Sequence, residues 1–436
     1  AAGRCLPTFQ QLPEHLFGAA GGRSAVILRP CALSSSRTAL GRLDPLRSQR
    51  RGSCKSCEVA MSATRRDLSP VQLVWSWILG LADLVVGLAS RGPKFLRGGF
   101  AGAEAISTDV IDKDGLEEVE LRFGNESEED GGIRCAEAVF RSPMARHLPE
   151  ESRTGYVLRV SPPPGIKLRG AVVLMAATGD KGYESRKKSV AVPLAKRGYM
   201  SLVLMAPMYA KRRPAGQKGH YINTVGQYMI KAYANIAEGA KLLAWMRRTY
   251  AGVPVGIAGF SFAGGMAASA AILDGGEVAM TSHAGALGPH VMTGGVISMQ
   301  MDWDALRKDL GPHARRRLHE YFLTQGLGPY YESVGRPRSP NLVAVSTIFR
   351  HDRFVKYDAG EEMHEILSQA SGVAELHVAP GGHITAFASM HTFVSNIERC
   401  FELLRQHTGP SEDGTTRHHP VPIQQLHGGA AQSRTR

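Results

Sequence analysis

The chain has 436 residues, of which 43% are hydrophobic, 21% charged and 7% aromatic, an ordinary globular composition that excludes a predominantly disordered chain. The net charge is +13. Residues 1–60 contain nine Lys or Arg against three acidic residues, so much of the excess positive charge belongs to this one segment. Four of the six cysteines lie in the same segment, and this distribution argues against a disulfide framework and favours a reducing compartment.

Residues 1–60 are rich in Arg, Ser, Gly and Leu and contain no long apolar core. This composition predicts an organellar transit peptide, for a mitochondrion or a plastid, rather than a secretory signal. A second interpretation is that Met61 is the true start and that the upstream segment is not translated. Both interpretations remain open at this point.

An apolar stretch at 71–90, "VQLVWSWILGLADLVVGLAS", dominates the N-terminal region 61–108. We expect a membrane-associating helix there, because Trp75, Trp77 and the leucines recur at roughly helical spacing and basic residues flank the stretch. Asp83 and two glycines weaken the case for a helix that spans the bilayer. A core helix packed on the folded domain is the remaining alternative.

Residues 109–133 are acidic and rich in glycine, and we expect an exposed linker. Beyond it, strand-like and helix-like segments alternate, which predicts an α/β fold in residues 134–406 with a mostly parallel eight-stranded sheet and helices on both faces. The strands are predicted at 136–140, 156–160, 171–176, 200–206, 253–258, 278–282, 342–349 and 375–378. Helices are predicted at 186–196, 225–247, 264–273, 361–370 and 385–405, and residues 407–436 are predicted to be a disordered tail.

The stretch "VPVGIAGFSFAGGMAASAAI" places Ser261 between a predicted strand and a predicted helix of small residues. A sharp strand–turn–helix connection of this kind exposes a nucleophilic serine, and the flanking small residues prevent clashes. The common signature is G-x-S-x-G. Gly259 matches it, whereas Ala263 stands where the second glycine is expected.

A serine hydroxyl needs a histidine base that is itself oriented by a carboxylate. In the α/β-hydrolase arrangement the acid and then the histidine follow the serine along the chain, each in a loop after a strand. Asp352 directly follows one predicted strand, with Asp358 as the substitute candidate. His383 follows the next strand and the turn Gly381–Gly382. We therefore predict Ser261, Asp352 and His383 as nucleophile, acid and base.

Acyl transfer also requires donors for the developing oxyanion. We expect the backbone N–H of Phe262 to be one donor and Thr178, in the loop after an earlier strand, to supply the other. Arg212 and Arg213 follow a neighbouring strand and are candidates for binding a phosphate headgroup, with a solvated basic loop as the alternative. Segment 287–306 is a candidate lid, and no metal or cofactor is expected.

Several stretches carry a more specific resemblance: "FRSPMARHLP", "ATGDKGYESRKK", "SLVLMAPMYAKRRP", "GIAGFSFAGGMAAS", "MDW" and "APGGHITAF". With them, residues 134–406 resemble the α/β-hydrolase domain-containing 18 family. The resemblance implies the α/β-hydrolase fold, a triad of Ser261, Asp352 and His383, and an intracellular, mitochondrial protein that acts on lipid esters. Where Ala177 and Ala263 stand, the family tends to have glycine, so we expect less room around the oxyanion donors.

The leading hypothesis is a serine hydrolase that cleaves a lipid acyl ester, with a phospholipid as the expected substrate, at an organellar membrane surface. An acyltransferase with the same triad and a non-catalytic membrane-associated scaffold are the alternatives. A nucleic-acid partner is not expected, because no aromatic–basic platform accompanies the basic residues.

Overall fold

The computed structural model describes residues 25–28, 70–89, 94–104, 106, 111, 116–286, 288–324 and 339–409. Within these ranges ten strands form one sheet. Their bounds are β1 Ala25–Leu28, β2 Arg122–Glu129, β3 Ile133–Arg141, β4 Thr154–Ser161, β5 Gly170–Leu174, β6 Tyr199–Leu204, β7 Val255–Phe260, β8 Val278–His283, β9 Ser339–Phe349 and β10 Ser371–Ala379.

The sheet has the order β1-β10-β9-β8-β7-β5-β6-β4-β3-β2. Its centre, from β10 to β6, is parallel, and the remaining pairs at both sides are antiparallel. Strands β5, β6 and β8 are buried along their whole length, as expected for parallel strands covered on both faces. The mostly parallel α/β sheet predicted from the sequence is thus present.

Helices cover both faces of the sheet. Their bounds are α1 Pro70–Ala89, α2 (the consecutive turns Glu184–Arg186, Lys187–Ala191 and Val192–Ala195), α3 Val225–Thr249, α4 Phe262–Asp274, α5 Gly288–Gly294, α6 Trp303–Leu310, α7 Ala314–Thr324, α8 Tyr357–Ala370, α9 His383–Ala388 and α10 Met390–Thr408. Helices α3, α4 and α8 bury apolar residues in the core of one face. Helices α2 and α10 do so on the other.

Two strands lie outside the eight that the sequence predicts. The predicted linker 109–133 contains β2, which pairs antiparallel with β3. The expectation of a linker is wrong for these residues, because β2 is an exposed, acidic edge strand whose pairing is decided by its neighbour rather than by an apolar pattern. Within the predicted leader, β1 pairs antiparallel with the edge of β10. The rest of residues 1–60 and residues 410–436 lie outside the described part of the chain.

The carboxyl ends of the parallel strands meet at one edge of the sheet. There β7 leads directly into α4, β10 leads through a short turn into α9, and the loop after β9 precedes α8. The connection between β8 and β9 contains α5, the 3₁₀ turn Val296–Gln300, α6 and α7. The predicted lid segment 287–306 belongs to this connection.

Candidate active site

Ser261 lies in a strained turn between β7 and α4. Its backbone angles are φ 58° and ψ −129°, a conformation that side-chain-bearing residues rarely adopt. The turn is tight: a Cβ atom on Gly259 would lie 2.0 Å from the carbonyl oxygen of Ala263. Glycine is therefore required two residues before the serine, and the serine side chain is presented at the edge of the sheet.

The second glycine of the usual signature has a counterpart one residue later. Ala263 is fully buried and its methyl group is accommodated. At Gly264, in contrast, a Cβ atom would lie 2.4 Å from Ser282 Oγ and 2.9 Å from Gly285 Cα. The close approach between α4 and the chain around the end of β8 thus occurs at Gly264, so the sequence "SFAGG" fits the same turn.

His383 is hydrogen-bonded to both other residues of the predicted triad. Its Nε2 lies 2.9 Å from Ser261 Oγ, and its Nδ1 lies 2.7 Å from Asp352 Oδ2. The other oxygen of Asp352 accepts hydrogen bonds of 2.8 Å from the N–H groups of Phe354 and Val355. Since an ionised carboxylate only accepts, Nδ1 carries the proton and Nε2 is free to accept from the serine hydroxyl. This is the tautomer that a general base requires.

The imidazole of His383 is enclosed by two aromatic rings. The Phe354 ring stacks on it at 5.0 Å between centroids, and the Phe260 ring lies at 5.1 Å. Burial alone would lower the pKa of His383, but the Asp352 carboxylate, its hydrogen bond and the charge of Asp83 outweigh burial and raise that pKa above its ordinary value.

The substitute acid, Asp358, lies elsewhere. It is in the first turn of α8, where its carboxylate accepts a hydrogen bond of 3.0 Å from the N–H of Ala359. It also lines a surface pocket beside His290 and His319. Of the two candidate acids, Asp352 is the one that contacts His383.

A narrow cleft opens beside Ser261. The two residues predicted for the oxyanion, Phe262 and Thr178, both line it. Phe262 is the first residue of α4, so its N–H has no partner within the helix. The loop of Thr178 is held by Arg186, which pairs with Asp180 at 2.6 Å.

The predicted lid closes this cleft on one side. Gly288, Val291 and Met292 of α5 and Ile297 of the following turn line it together with Phe354. The cavity volume is only about 30 Å³, which leaves room for no more than a few water molecules. A long acyl chain therefore requires α5 or its neighbours to move.

The structure corrects the expectation for Arg212. This side chain is fully buried and forms two hydrogen bonds, of 2.8 and 2.5 Å, with the carboxylate of Glu238. Two more of its donors bind the carbonyl oxygens of Met205 and Ser152, and among the described residues its Nε has no hydrogen-bond partner. Arg212 is consequently part of a buried ion pair and does not reach a ligand. Arg213 is exposed and is not among the residues that line the cleft.

Asp83 of α1 belongs to this site, and the sequence pattern did not predict that role. It is fully buried, and its Oδ2 accepts hydrogen bonds from the N–H groups of Arg353 at 3.0 Å and His383 at 2.9 Å. Its Oδ1 accepts a third from Ile384 at 3.0 Å. One carboxylate thus ties together the two loops that carry Asp352 and His383. In the sequence, the one indication of this role was an acidic residue in an otherwise apolar helix.

The rest of the inner face of α1 supports the same loops. Ser76 Oγ lies 2.6 Å from His351 Nδ1 and accepts a hydrogen bond of 2.7 Å from the N–H of Gly381. At Gly80 a Cβ atom would lie 2.7 Å from the carbonyl oxygen of His351. Ser76, Gly80 and Asp83 are spaced by four and three residues, so they share one helix face. The contacts of this face are those of the alternative given for residues 71–90, a helix that packs on the folded domain.

The opposite face of α1 is apolar and exposed. Val74, Trp77, Ile78, Val85 and Leu88 are between 44% and 64% exposed. Within the described ranges, no helix is long and apolar enough to span a bilayer. The helix therefore places its small and polar side against the protein and its apolar side outward, the reverse of an ordinary surface helix.

Comparisons with known proteins agree with this architecture. A sequence model of the family described as "Alpha/beta hydrolase domain containing 18" matches residues 106–323. Among solved structures, the chain is similar to a cold-adapted esterase from an Arctic intertidal metagenomic library, with 15% identity over 65% of this chain and 99% of that one and a TM-score of 0.41.

Two further solved structures are similar. Acetyl xylan esterase 1 from a Thermoanaerobacterium species is 12% identical over 69% of this chain and 96% of that one, with a TM-score of 0.41. An esterase from Pyrococcus furiosus is 14% identical over 72% of this chain and 99% of that one, with a TM-score of 0.40. The activities and substrates in those names belong to those proteins.

Proposed function

The chain belongs to the alpha/beta hydrolase domain containing 18 family, and on that premise we propose that it is a serine ester hydrolase whose substrate is a membrane lipid ester. The observation that carries the proposal is the hydrogen-bonded series from Ser261 through His383 to Asp352, with the serine in a strained turn. Such a series converts a weakly nucleophilic hydroxyl into one that attacks a carbonyl carbon.

In the proposed reaction Ser261 Oγ attacks the ester carbonyl while His383 Nε2 takes its proton. Asp352 keeps the proton on Nδ1 and stabilises the imidazolium. The Phe262 N–H and a donor from the Thr178 loop would stabilise the negative oxygen of the tetrahedral intermediate. His383 then returns the proton to the leaving alcohol, and water releases the acid from the acyl-enzyme by the same steps.

The experiment that tests this proposal is labelling with a fluorophosphonate, which reacts with activated serines. We expect one adduct on the peptide that contains Ser261, and no adduct on the Ser261→Ala protein. The Ser269→Ala protein, which loses a serine from the same helix, should be labelled like the wild type. Equal labelling of the wild-type and Ser261→Ala proteins would refute the proposal.

The pH dependence of hydrolysis should report the raised pKa of His383. With a soluble neutral ester, kcat/KM should rise with pH through an apparent pKa above about 6.5, the ordinary histidine value, because only neutral imidazole accepts the serine proton. Activity is thus lost as the pH falls through that value and is retained above it. An apparent pKa of kcat/KM at or below about 6 would contradict the environment described for His383.

Lipid as the substrate class is supported by two features. The cleft beside Ser261 is lined mainly by apolar side chains. Helix α1 packs next to the loops of Asp352 and His383, and its outward face is apolar. The exposed residues Lys94 and Arg97 follow this helix and would suit an anionic lipid surface. We infer that the outer face of α1 rests on the membrane while its inner face supports the active site.

A double substitution on the outer face, Trp77→Ser with Val85→Ser, should weaken binding to phospholipid vesicles. Losing two apolar side chains that would enter the lipid should reduce partitioning into the vesicles at least about 10-fold. Vesicle flotation measures this effect, and turnover of a soluble ester should stay unchanged because neither side chain faces the catalytic loops. Unchanged flotation would remove the support for membrane contact through α1.

The proposed location is the mitochondrion, because the basic, acid-poor composition of residues 1–60 suits an organellar transit peptide and the family resemblance implies this organelle. Two tagged chains, one with all 436 residues and one beginning at Met61, should appear in different fractions of the cell, with only the 436-residue chain in mitochondria. The same fraction for both chains would argue against a targeting role of residues 1–60.

A further inference from the structure

Lys231 is a buried cation beside the candidate nucleophile. It lies on α3, is only 2% exposed, and lines the cleft together with Ser261, Phe262 and Thr178. Lysine side chains rarely stay at such positions without a charged partner, because moving an ammonium group out of water is costly. The role of this side chain therefore needs an explanation that the serine, histidine and aspartate do not provide.

The surroundings of Lys231 are aromatic rather than acidic. Its Nζ lies 4.4 Å from the centre of the Tyr209 ring and 4.2 Å from the centre of the Phe262 ring. Between residues that the structure describes, no ion pair involves Lys231. Burial lowers its pKa to about 7. Two ring faces attract a cation, but they do not neutralise it.

The position of Lys231 limits what can neutralise it. The side chain contacts the ring of Phe262, the residue that follows the nucleophile, so an anion that reaches Nζ lies next to the reacting ester. The other walls of the cleft are largely apolar. The arrangement suits an amphiphile that carries its negative group close to the ester bond, as a glycerophospholipid does. An ammonium group binds phosphate oxygens as a point charge.

We propose that Lys231 binds the phosphodiester of a phospholipid whose neighbouring acyl ester is presented to Ser261. This inference rests on the proposed ester hydrolase function and assigns the headgroup contact that Arg212 cannot make. Entry of the phosphate pairs the buried ammonium group, so the enzyme favours esters with an adjacent anion over neutral ones. A fatty-acid carboxylate is also an anion that an ammonium group binds, and the experiment below distinguishes it from the phosphodiester.

Calorimetric titration of the Ser261→Ala protein tests this proposal without turnover. The probe is dodecyl methyl phosphate, a permanently ionised phosphodiester, and its uncharged match is dodecyl dimethyl phosphate, both used below their micelle concentrations. Adding Lys231→Met should weaken binding of the phosphodiester about 10- to 100-fold, the range for losing a hydrogen bond to a charged group. Binding of the uncharged triester should not change.

Lys241 offers a matched control on the same helix. It is a comparably buried lysine that pairs with Glu118 at 2.8 Å. Ser261→Ala with Lys241→Met removes the same charge but should bind the phosphodiester as tightly as Ser261→Ala alone. Thermal unfolding of each protein shows whether the fold is kept. A Lys231→Met protein that binds the triester as before has an intact cleft.

The pH dependence of binding provides a second readout. Affinity for the phosphodiester should be full below pH 7 and should fall as the pH rises through the pKa of Lys231 in the complex, because the ammonium group then loses its proton. The titratable groups nearby are Tyr209, His220 and Tyr228, with His383 beside Ser261. Burial lowers the pKa of His220 to about 4 and raises the pKa of Tyr209, so neither changes charge in this window. His383 has a raised pKa and is present in both proteins, so the part of the pH dependence that the Lys231→Met protein loses belongs to Lys231.

Four results would overturn the proposal. They are unchanged affinity in the Lys231→Met protein, an equal loss for the phosphodiester and the triester, a larger loss for dodecanoate than for the phosphodiester, and tight binding of inorganic phosphate alone. The third would assign the site to a fatty-acid carboxylate, and the fourth would assign it to the free ion. Hydrolysis of a neutral soluble ester by the wild-type protein tests the proposed function separately, so the two failures are distinguishable.

Discussion

Replacing Ser261 with glycine should abolish ester hydrolysis and at the same time stabilise the fold. Loss of the nucleophile should lower kcat about 10,000-fold or more, as for other serine hydrolases. The backbone at position 261 has φ 58° and ψ −129°, which only glycine adopts without strain. Relief of that strain should exceed the entropic cost of glycine and raise the free energy of unfolding by about 1 kcal/mol.

Ser261→Ala is the matched control for this prediction. It removes the same hydroxyl and should lose the same activity, but it keeps a Cβ atom in the strained conformation and should unfold like the wild type. Hydrolysis of a soluble ester and chemical denaturation of the three proteins measure both effects. Equal stability of the glycine and alanine variants would show that the turn stores no strain, and residual wild-type hydrolysis would exclude Ser261 as nucleophile.

Replacing Asp83 with asparagine should lower kcat about 100-fold on a soluble ester, the effect expected when a catalytic group shifts by about 1 Å. The carboxylate accepts three backbone hydrogen bonds from the loops of Asp352 and His383. An amide has a single oxygen, and its NH₂ group would face a buried N–H donor. Stability should also fall, because each buried donor left unpaired costs about 1–3 kcal/mol.

The pH profile separates a positioning role of Asp83 from simple loss of stability. The charge of Asp83 contributes to the raised pKa of His383, so Asp83→Asn should move the acidic limb of kcat/KM to lower pH. Val85→Ala, a change on the exposed side of the same helix, should alter neither kcat nor the profile. An Asp83→Asn protein with wild-type kcat and an unmoved limb would show that α1 does not organise the catalytic loops.

The order of the site residues could be predicted because each has a local signal. A buried strand followed by "GFSFAGG" indicates a nucleophile turn, and Asp352 and His383 each lie in the short loop after a strand. Neighbouring parallel strands present their carboxyl ends at the same edge of the sheet, so local patterns together imply proximity. The hydrogen bonds of 2.9 and 2.7 Å at His383 are consistent with that reasoning.

The basic residues after β6 show where local reasoning fails. Arg212 and Arg213 are adjacent and carry the same charge, yet one is fully buried against Glu238 and the other is exposed. Lys231, in the middle of a long helix, gave no signal at all. Whether a charged side chain meets a carboxylate, water or a cleft depends on residues far away in the chain, which the sequence pattern does not specify.

By itself, the sequence determined the alternation of strands and helices, and it predicted the serine turn and the chain order of Ser261, Asp352 and His383, because hydrophobic period and turn chemistry act over a few residues. Only the tertiary structure decided that the acidic segment contributes an edge strand and that α1 faces the catalytic loops with Ser76 and Asp83. The physical reason is that pairing of edge strands and burial of polar groups are long-range choices. A carboxylate such as Asp83 is stable in an apolar helix only where distant backbone donors converge on it.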